Sequence, residues 1–375
     1  MSERLTRIRA AMAEKTLDAL MISAPGEEHL GADTRYYVAG FTGSAGVILI
    51  TATRAFFAAD FRYVAQAGIE CVPRGFEVFE SRGNRAEWLR TLFAEAGLGG
   101  KTLGLTKLDT TYGGYLSVAE TIAGLPASER PTLVPAPPIV EGLRAQKDPE
   151  EVVLLQRAVN VSDLAFAELL DALHPGMTER QAADIFRKNV QMSGGDDISF
   201  DTIVATGPHG AMPHAQPRDV VIEQNQPLVV DMGARVQRYC SDLTRTVVPG
   251  RADARFREIY SIVHSAQRAA IEGIETGMTG QQADAFARDQ ITKAGYGEQF
   301  GHGLGHGIGL QVHEAPHLGV TSPDVLLDGM VFTIEPGIYI PGWGGVRIED
   351  IVILENGKPR VLSHAPKLTP QEFES

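Results

Sequence analysis

Residues 301–316, GHGLGHGIGLQVHEAP, hold three histidines among five glycines. Glycine adopts positive φ values and lets the backbone approach other groups closely, so this stretch is neither an ordinary helix nor an ordinary strand. The imidazole groups of His302, His306 and His313 are therefore candidate ligands for a divalent metal ion. Glycine–histidine segments also occur as plain turns, and a metal site requires acidic partners from elsewhere in the chain.

Acidic residues occur within apolar, strand-like sequence on both sides of this stretch. Asp231 follows the apolar run 228–230, and Asp242 lies in the alternating segment that returns after a turn. These two aspartates are therefore expected on neighbouring antiparallel strands, where they can converge. Glu335 and Glu349 lie in two later strand-like segments, MVFTIEPGIYI and GGVRIEDIVIL, which predict a second hairpin.

A buried carboxylate is costly unless it is paired with a cation or bound to a metal ion. A salt bridge is the simplest explanation for any one of these acids, and Arg245 and Arg347 are near in sequence. Four acids on two hairpins, together with a glycine–histidine segment, favour a shared metal centre. Oxygen-rich ligands with one imidazole suit a pair of divalent ions, first manganese, with cobalt, zinc or iron as alternatives. Two such ions would hold a water as hydroxide and polarise a carbonyl group, which indicates hydrolysis of an amide or ester.

The overall composition indicates a globular protein of two domains and argues against several partners. The chain has 375 residues, of which 43% are hydrophobic and 22% charged, enough for a large core. A formal net charge of −13 argues against nucleic acid or an anionic membrane as a partner. The two cysteines, Cys71 and Cys240, exclude a disulfide framework, and the N-terminus has no apolar signal-peptide core. We therefore expect a cytoplasmic protein that binds neither nucleic acid nor membrane.

Residues 1–128 are predicted to form an α/β domain. Its predicted elements are a strand at 17–23, a hairpin of two buried strands at 46–60, and helices at 61–68 and 85–96. The glycine- and serine-rich segment 35–46, RYYVAGFTGSAG, is interpreted as a connecting loop. The proline-rich passage 129–147 is the predicted linker to the second domain.

The second domain, predicted over residues 148–375, begins with a helix. Asp148 is its predicted N-cap, Pro149 suits the first helical position, and Glu151 completes a capping box. The amphipathic pattern continues to about Leu173.

An internal repeat follows this helix. The segment HPGMTERQAADIF resembles ETGMTGQQADAFA, which begins about a hundred residues later. Thr178 and Thr279 are the corresponding predicted N-caps, each with glutamine at the third helical position, and each helix is followed by a glycine-containing turn. The repeat suggests a duplicated α+β half.

Four motifs resemble, in this order, a known family. They are VVDMGARVQRYCSDLTRTVV, GHGLGHGIGLQVHE, TIEPGIYI and GVRIEDIVIL. They resemble the metallopeptidase family that includes Xaa-Pro aminopeptidases, prolidases and methionine aminopeptidases. The N-terminal segments GFTGSAGVILIT and FRYVAQAG are similar to the creatinase/prolidase-type N-terminal domain. The resemblance implies an α+β fold: a pita-bread metallopeptidase domain of two pseudo-symmetric halves, preceded by a smaller α/β domain.

The resemblance also implies a ligand set for two divalent metal ions per subunit. The implied ligands are Asp231, Asp242, His306, Glu335 and Glu349. In the family pattern Asp242 and Glu349 bridge the ions, Asp231 binds one of them, and His306 and Glu335 bind the other.

Further residues match positions that handle substrate in the family. His313 matches the histidine that contacts the substrate carbonyl group, and His214 matches one placed near the substrate amide, although it could simply cap a turn. His302 matches a proton-handling position, and Arg347 would hold a bridging carboxylate or dock substrate. Glu335 is the implied general base.

Three residues beside these ligands are interpreted as supporting ones. Tyr239 and Asp350 are expected to orient ligand side chains. Cys240 is expected to be a small core residue.

The resemblance predicts hydrolysis of the first bond in short peptides with proline at the second position. An Xaa-Pro bond has no N–H group, so its site needs only an apolar pocket for the ring. His317 stands where prolidase-like relatives often have arginine, which favours an Xaa-Pro aminopeptidase over the alternative, an Xaa-Pro dipeptidase. A non-catalytic peptide-binding protein is the third alternative. The family also implies a homodimer, with the segment 36–46 of one subunit lining the cleft of the other.

Overall fold

The computed structural model describes residues 3–23 and 30–368. The chain divides into two compact units, residues 1–144 and 145–375, called here the N-terminal unit and the C-terminal unit. The division lies within the passage 129–147 that the sequence predicts as a linker. None of the helices described is long and apolar enough to cross a membrane.

The N-terminal unit is a mixed sheet with helices around it. Its helices are α1 (Glu3–Glu14), α2 (Ala32–Ala39), α3 (Val64–Glu70), α4 (Arg85–Glu95), α5 (Tyr112–Ala123) and α6 (Ile139–Ala145). Its strands are β1 (Ala19–Ile22), β2 (Val47–Thr51), β3 (Ala55–Ala59), β4 (Glu77–Glu80), β5 (Thr102–Leu105) and β6 (Thr132–Pro135). The strand order is β4-β3-β2-β1-β5-β6, with antiparallel pairing among β1, β2 and β3 and parallel pairing elsewhere.

Most elements predicted for this unit are confirmed. The hairpin predicted at 46–60 is β2 and β3, in which every residue is buried. The helix predicted at 85–96 is α4, and the side chain of Asn84 caps it by accepting a 2.8 Å hydrogen bond from the amide of Ala86. The helix predicted at 61–68 begins three residues later, because the amide of Tyr63 donates to Asp60 in a turn.

The loop predicted at 35–46 is wrong in its first part, because α2 extends through Ala39. Arg35 is fully buried, and its guanidinium donates to Ser23, Leu30 and Ser44 at 2.7–3.0 Å. These bonds hold the helix against neighbouring segments of the N-terminal unit. This is a tertiary effect that local sequence does not reveal. The passage predicted as a linker likewise contains β6, an edge strand of the sheet, and α6.

The C-terminal unit combines four helices with several small sheets in the residues described. Its helices are α7 (Pro149–Ala172), α8 (Glu179–Met192), α9 (Ala254–Gly273) and α10 (Gly280–Lys293). Its strands are β7 (Asp197–Ile198), β8 (Ile203–Thr206), β9 (Leu228–Met232), β10 (Ala234–Val236), β11 (Tyr239–Cys240), β12 (Leu243–Val247), β13 (Gly305–Gly307), β14 (Glu314–Leu318), β15 (Val331–Ile334), β16 (Gly337–Ile340), β17 (Gly344–Arg347), β18 (Asp350–Glu355) and β19 (Lys358–Val361). Its largest described sheet has the order β14-β13-β15-β18-β19, and two three-stranded sheets have the orders β12-β9-β8 and β11-β10-β7.

The C-terminal unit is built from two similar halves, as the internal repeat predicts. In the first half α7 and α8 pack on the sheet of β8, β9 and β12; in the second, α9 and α10 pack on the sheet that contains β15 and β18. Thr178 and Thr279 both form capping boxes, which confirms that prediction. The residue before each threonine accepts an equivalent 2.8 Å backbone hydrogen bond, from Ile222 in the first half and Leu326 in the second.

Candidate metal centre

The first half contributes two aspartates from neighbouring strands. Asp231 lies in β9, and Asp242 lies immediately before β12, which pairs with β9 in antiparallel register. The predicted antiparallel pairing is therefore confirmed, with Asp231 on one strand and Asp242 at the start of the other. Thr244 is opposite Asp231 in this register.

The second half contributes two glutamates at points where strand pairing changes. The predicted hairpin is split: β15 pairs with β18, while β16 pairs with β17. Glu335 follows β15 directly, and Glu349 directly precedes β18. Pro336 has no N–H group to donate, so the ladder of β15 cannot continue through it. The carboxylates of Glu335 and Glu349 thus lie at strand ends, and both line the same cavity.

His306 lies in β13 between two glycines whose lack of a side chain is required. A Cβ atom at Gly305 would lie 2.0 Å from the carbonyl oxygen of Thr333, and one at Gly307 would lie 2.0 Å from that of Ala315. The Nδ1 atom of His306 is 3.1 Å from the carbonyl oxygen of Gly307 and must donate to it, because a carbonyl oxygen only accepts. Its Nε2 atom is then a free lone-pair donor toward a metal ion.

These side chains converge on one place. Atoms of Asp242, His306 and Glu349 that can bind a metal ion lie within 4.8 Å of one another. The Nε2 atom of His306 is 3.3 Å from a carboxylate oxygen of Glu335 and 3.6 Å from one of Asp242. All five ligands implied by the resemblance, Asp231 included, line a single cavity of about 420 Å³.

The electrostatics of the cluster favour a bound cation, because the buried carboxylates repel one another. Burial, together with the neighbouring carboxylates, raises the pKa of Asp242 and of Glu349 well above the usual range. Burial also raises the pKa of Glu335 to about 8, although nearby Arg347 acts in the opposite direction. Burial lowers the pKa of His306 to about 4, so its imidazole is neutral, as metal binding requires.

The donor atoms that are present fit divalent metal ions. Within residues 3–23 and 30–368, one carboxylate oxygen of Asp231 and one of Glu349 are buried without a hydrogen-bond partner. Buried carboxylate oxygens are rarely left unpaired, and a bound cation satisfies them. Four carboxylates and one neutral imidazole are the donors that manganese, cobalt, zinc or iron ions accept. The residues that line this cavity therefore fit a divalent metal site.

Arg347 contacts the ligands through two routes. Its guanidinium donates to Asp231 at 2.6 Å and to the hydroxyl group of Thr244 at 2.9 Å. Thr244 in turn donates to Glu349 at 2.7 Å. Arg347 thus contacts Asp231 directly and reaches Glu349 only through Thr244. Thr244 was not predicted from the sequence, although it lies two residues after Asp242 and strand alternation places both side chains on one face.

His302 has both ring nitrogens engaged. Its Nδ1 atom donates to the carbonyl oxygen of Gly303 at 2.8 Å, so its Nε2 atom accepts from the hydroxyl group of Tyr339 at 3.0 Å. Tyr339 itself accepts from Arg347 at 2.7 Å. Burial lowers the pKa of His302 to about 4. Tyr339 therefore connects His302 to Arg347, which in turn holds Asp231. Tyr339 was not predicted from the sequence.

His214 and His313 face the same cavity as the four acids and His306. The rings of His313 and His306 are 4.3 Å apart, and burial lowers the pKa of His313. His214 is exposed in the loop after β8 and lines the cavity opposite the glycine-rich segment. The apolar part of the lining consists of Phe200, Ile203, Pro213 and Val312.

Comparisons with known proteins agree with this geometry. Residues 153–356 match the model of Metallopeptidase family M24, and residues 4–146 match that of the Creatinase/Prolidase N-terminal domain. The chain belongs to metallopeptidase family M24. It is 40% identical over 365 residues to the Uncharacterized peptidase YqhT of Bacillus subtilis (strain 168), with 97% of this chain and 98% of that protein covered.

Solved structures of similar proteins carry two different names. The Xaa-Pro dipeptidase from Bacillus anthracis is 39% identical, with a TM-score of 0.90 over 98% of both chains. The X-Pro aminopeptidase from Thermotoga maritima MSB8 is 33% identical, with a TM-score of 0.84 over 95% of this chain and 98% of that one. The predicted pita-bread fold and N-terminal domain are thereby confirmed.

The residues expected to support the ligands of this M24 chain have mixed roles. Asp350 accepts from Arg245 at 2.8 Å, and Arg245 also donates to the main-chain oxygen of Glu349. Tyr239 instead donates to Glu151 of α7 at 2.7 Å. Cys240 is buried, which confirms its predicted place in the core.

Two residues of α10 hold the glycine-rich segment of the M24 site in place. Asp284 accepts from the amide of Leu304 at 3.0 Å. It also accepts from the Nε and Nη2 atoms of Arg288. Arg288 donates to the carbonyl oxygens of Phe300 and His302 at 2.8 and 2.6 Å. In sequence the two residues resemble an ordinary surface pair at i and i+4, so nothing in the sequence marks them.

Proposed function

We propose that this chain is a metal-dependent peptidase that hydrolyses the N-terminal Xaa-Pro bond of short peptides. The supporting observation is a buried cluster of four carboxylates and one neutral imidazole that faces a cavity with two further histidines. Two bound divalent ions, for which manganese is our first choice, would lower the pKa of a water molecule and polarise the scissile carbonyl group.

The chain's own residues would position the substrate and move protons. His313 would donate a hydrogen bond to the substrate carbonyl oxygen, and His214 would lie near the substrate amide. Glu335 lines the cavity, so we assign to it the acceptance of a proton from water. Arg347 would keep Asp231 in place through its 2.6 Å ion pair.

Proline at the second position fits the cavity lining. The nitrogen of an Xaa-Pro bond has no hydrogen to donate, so the site need not provide an acceptor for it. Phe200, Ile203, Pro213 and Val312 offer apolar surface for the pyrrolidine ring.

Of the two exopeptidase activities, we favour the aminopeptidase. A dipeptidase must bind the free α-carboxylate of the proline residue, and this requires an available cation. Arg347, in the main cavity, is fully engaged by Asp231, Thr244 and Tyr339. Arg288, in a neighbouring cavity that shares His302, His306 and His313, is engaged by Asp284 and two carbonyl groups. No other lysine or arginine of the described residues lines these two cavities.

The test compares three peptides after metal removal and reconstitution with manganese. We expect Ala-Pro-Ala to be cleaved after its first residue, Ala-Pro to be cleaved much more slowly, and Ala-Ala-Ala not to be cleaved. Faster cleavage of Ala-Pro than of Ala-Pro-Ala would establish the dipeptidase that the name of the Bacillus anthracis protein suggests. Absence of any cleavage by metal-replete protein would leave a peptide-binding protein.

A further inference from the structure

One buried carboxylate outside the metal centre has no part in the proposed chemistry. Glu179, the first residue of α8, is fully buried and does not line the main cavity. It accepts hydrogen bonds from the amide of Thr206 at 2.9 Å, from Nδ1 of His209 at 2.9 Å and from the amide of Arg218 at 3.0 Å. The guanidinium of Arg218 adds two longer contacts at 3.2 and 3.3 Å.

The donors to Glu179 come from both ends of one loop. Residues 206–218 leave β8 and return to the same carboxylate, and His214 lies between the two attachment points. Within the loop, Ala215 is buried against Ile203, while Arg347 donates to the carbonyl oxygen of Pro213 at 3.4 Å. The side chain of His214 itself is exposed toward the cavity.

Glu179 is ionised when it makes these contacts. Burial alone would raise its pKa, but the bonds from Arg218, Thr206 and His209 outweigh burial and lower the pKa. Hydrogen bonds to a buried carboxylate are roughly twice as strong as neutral ones. A single charge therefore holds both ends of the loop.

We propose that Glu179 is a positioning residue for the peptidase reaction, because it fixes the loop 206–218 and so places His214 against the substrate. The inference rests on the proposed function, since the role of His214 belongs to it. A purely structural Glu179 would stabilise the fold without acting through His214.

A double-mutant cycle separates these two roles. In Glu179→Gln the shape is kept and the charge is lost, and we expect kcat/KM for Ala-Pro-Ala to fall about 10- to 100-fold, as for a misplaced catalytic group. In a His214→Ala background the same substitution should cause no further loss. Equal factors in the two backgrounds, or an unchanged kcat/KM in the single variant, would overturn the proposal.

Hydrogen exchange gives a readout that does not depend on activity. The amides of Thr206 and Arg218 should exchange faster in Glu179→Gln, while the segment 300–310 should be unchanged. Asp163→Asn is the matched control, because Asp163 also lies on a helix and accepts from two amides, those of His364 and Ala365 at 2.7 and 3.0 Å. The control should alter exchange near residue 364 and leave kcat/KM unchanged.

Two further results keep the test decisive. If Glu179→Gln does not fold, Arg218→Ala removes only a half-exposed guanidinium and is taken through the same cycle with His214→Ala. If wild-type protein does not cleave Ala-Pro-Ala, the proposed function fails. Exchange at residues 206–218 that stays unchanged in Glu179→Gln would then overturn the placement of the loop as well.

Discussion

In the first half of the C-terminal unit, α8 begins with Glu179, whereas α10 of the second half has Gly280 at the equivalent position. Glu179 holds the loop that carries His214. A Cβ atom at Gly280 would lie 2.0 Å from the carbonyl oxygen of His317, so no side chain fits there. The second half uses Asp284, one turn further along its helix, to hold the segment that carries His302.

This difference shows how a duplicated scaffold divides the work of one site. The first half supplies two aspartates on a regular antiparallel pair, Asp231 and Asp242. The second half supplies a histidine on a strand flanked by glycines and two glutamates where pairing changes. In each half a buried carboxylate of the second helix hydrogen-bonds the backbone of a histidine-bearing segment. The ligands differ, but the way of holding those segments is the same.

The largest effect is expected when one ligand is removed from either half. Asp242→Asn and Glu349→Gln should each lower kcat by about three orders of magnitude or more, because the ions contribute several kcal/mol to the reaction. Metal content measured by mass spectrometry should fall in both variants. If only one substitution mattered, the centre would not be shared between the halves.

The metal-free protein should lose stability as the pH rises. The pKa of Glu335 is about 8 in the folded protein against 4.5 for the free group, and those of Asp242 and Glu349 are also raised. These three carboxylates keep protons in the folded state that they lose in the unfolded state, so they make the free energy of unfolding fall as the pH rises. His302 and His306, whose pKa values are lowered from 6.5 to about 4, act in the opposite direction below pH 6.5, but the three carboxylates outweigh them. Melting temperatures in chelator should therefore be higher at pH 5 than at pH 8.

The metal-replete protein is the control for this pH dependence. Metal ions bind the deprotonated carboxylates, so added manganese should raise the melting temperature more at pH 8 than at pH 5. If the melting temperature of the metal-free protein rose between pH 5 and pH 8, the carboxylates from the two halves would not have raised pKa values, and the proposed close approach of these acids would be wrong.

The acids of the candidate centre could be recognised from the sequence because they break a local rule, whereas the choice of His306 among three histidines rested on the family resemblance. Acids within apolar strand sequence, such as Asp231, are conspicuous, and the capping threonines of the repeat follow a short local pattern. Helix α2 does not follow such a local pattern. The sequence predicts a loop there, but the helix is anchored by the buried Arg35, which donates to Ser23 and Ser44, 12 and 9 residues away.

The residues that hold the ligands could be predicted only in part. Thr244 follows from strand alternation once Asp242 is chosen. Glu179, by contrast, is an ordinary acid in the first turn of a helix, and Asp284 with Arg288 is an ordinary helical pair. Their burial against particular loops depends on how the duplicated helices pack, which no local pattern encodes.

A smaller effect tests whether the second half depends on buried charge next to His313. Lys147 and Glu314 form an ion pair at 3.7 Å, with side chains only 1% and 6% exposed. Lys147→Met should lower the free energy of unfolding by about 3–5 kcal/mol, because it removes the cation that faces the largely buried carboxylate of Glu314. The double variant Lys147→Met/Glu314→Leu should recover much of this loss.

An exposed pair of the same length provides the control. Lys101 and Asp18 are also 3.7 Å apart, but their side chains are 54% and 45% exposed. Lys101→Met should change the free energy of unfolding by less than about 1 kcal/mol. Equal shifts of the urea midpoint for Lys147→Met and Lys101→Met would show that burial of the first pair has no special weight.

The smallest effect distinguishes what the two helix carboxylates hold. Asp284→Asn weakens the contact to Leu304, two residues before His306, and should lower manganese affinity about tenfold, as loss of a residue that orients a ligand does. Glu179→Gln should leave manganese affinity nearly unchanged, because residues 206–218 provide no metal ligand. Calorimetric titration of the two metal-free variants measures both. Equal losses of affinity would mean that Glu179 acts on the metal centre and not on His214, and the division of work between the halves would then be wrong.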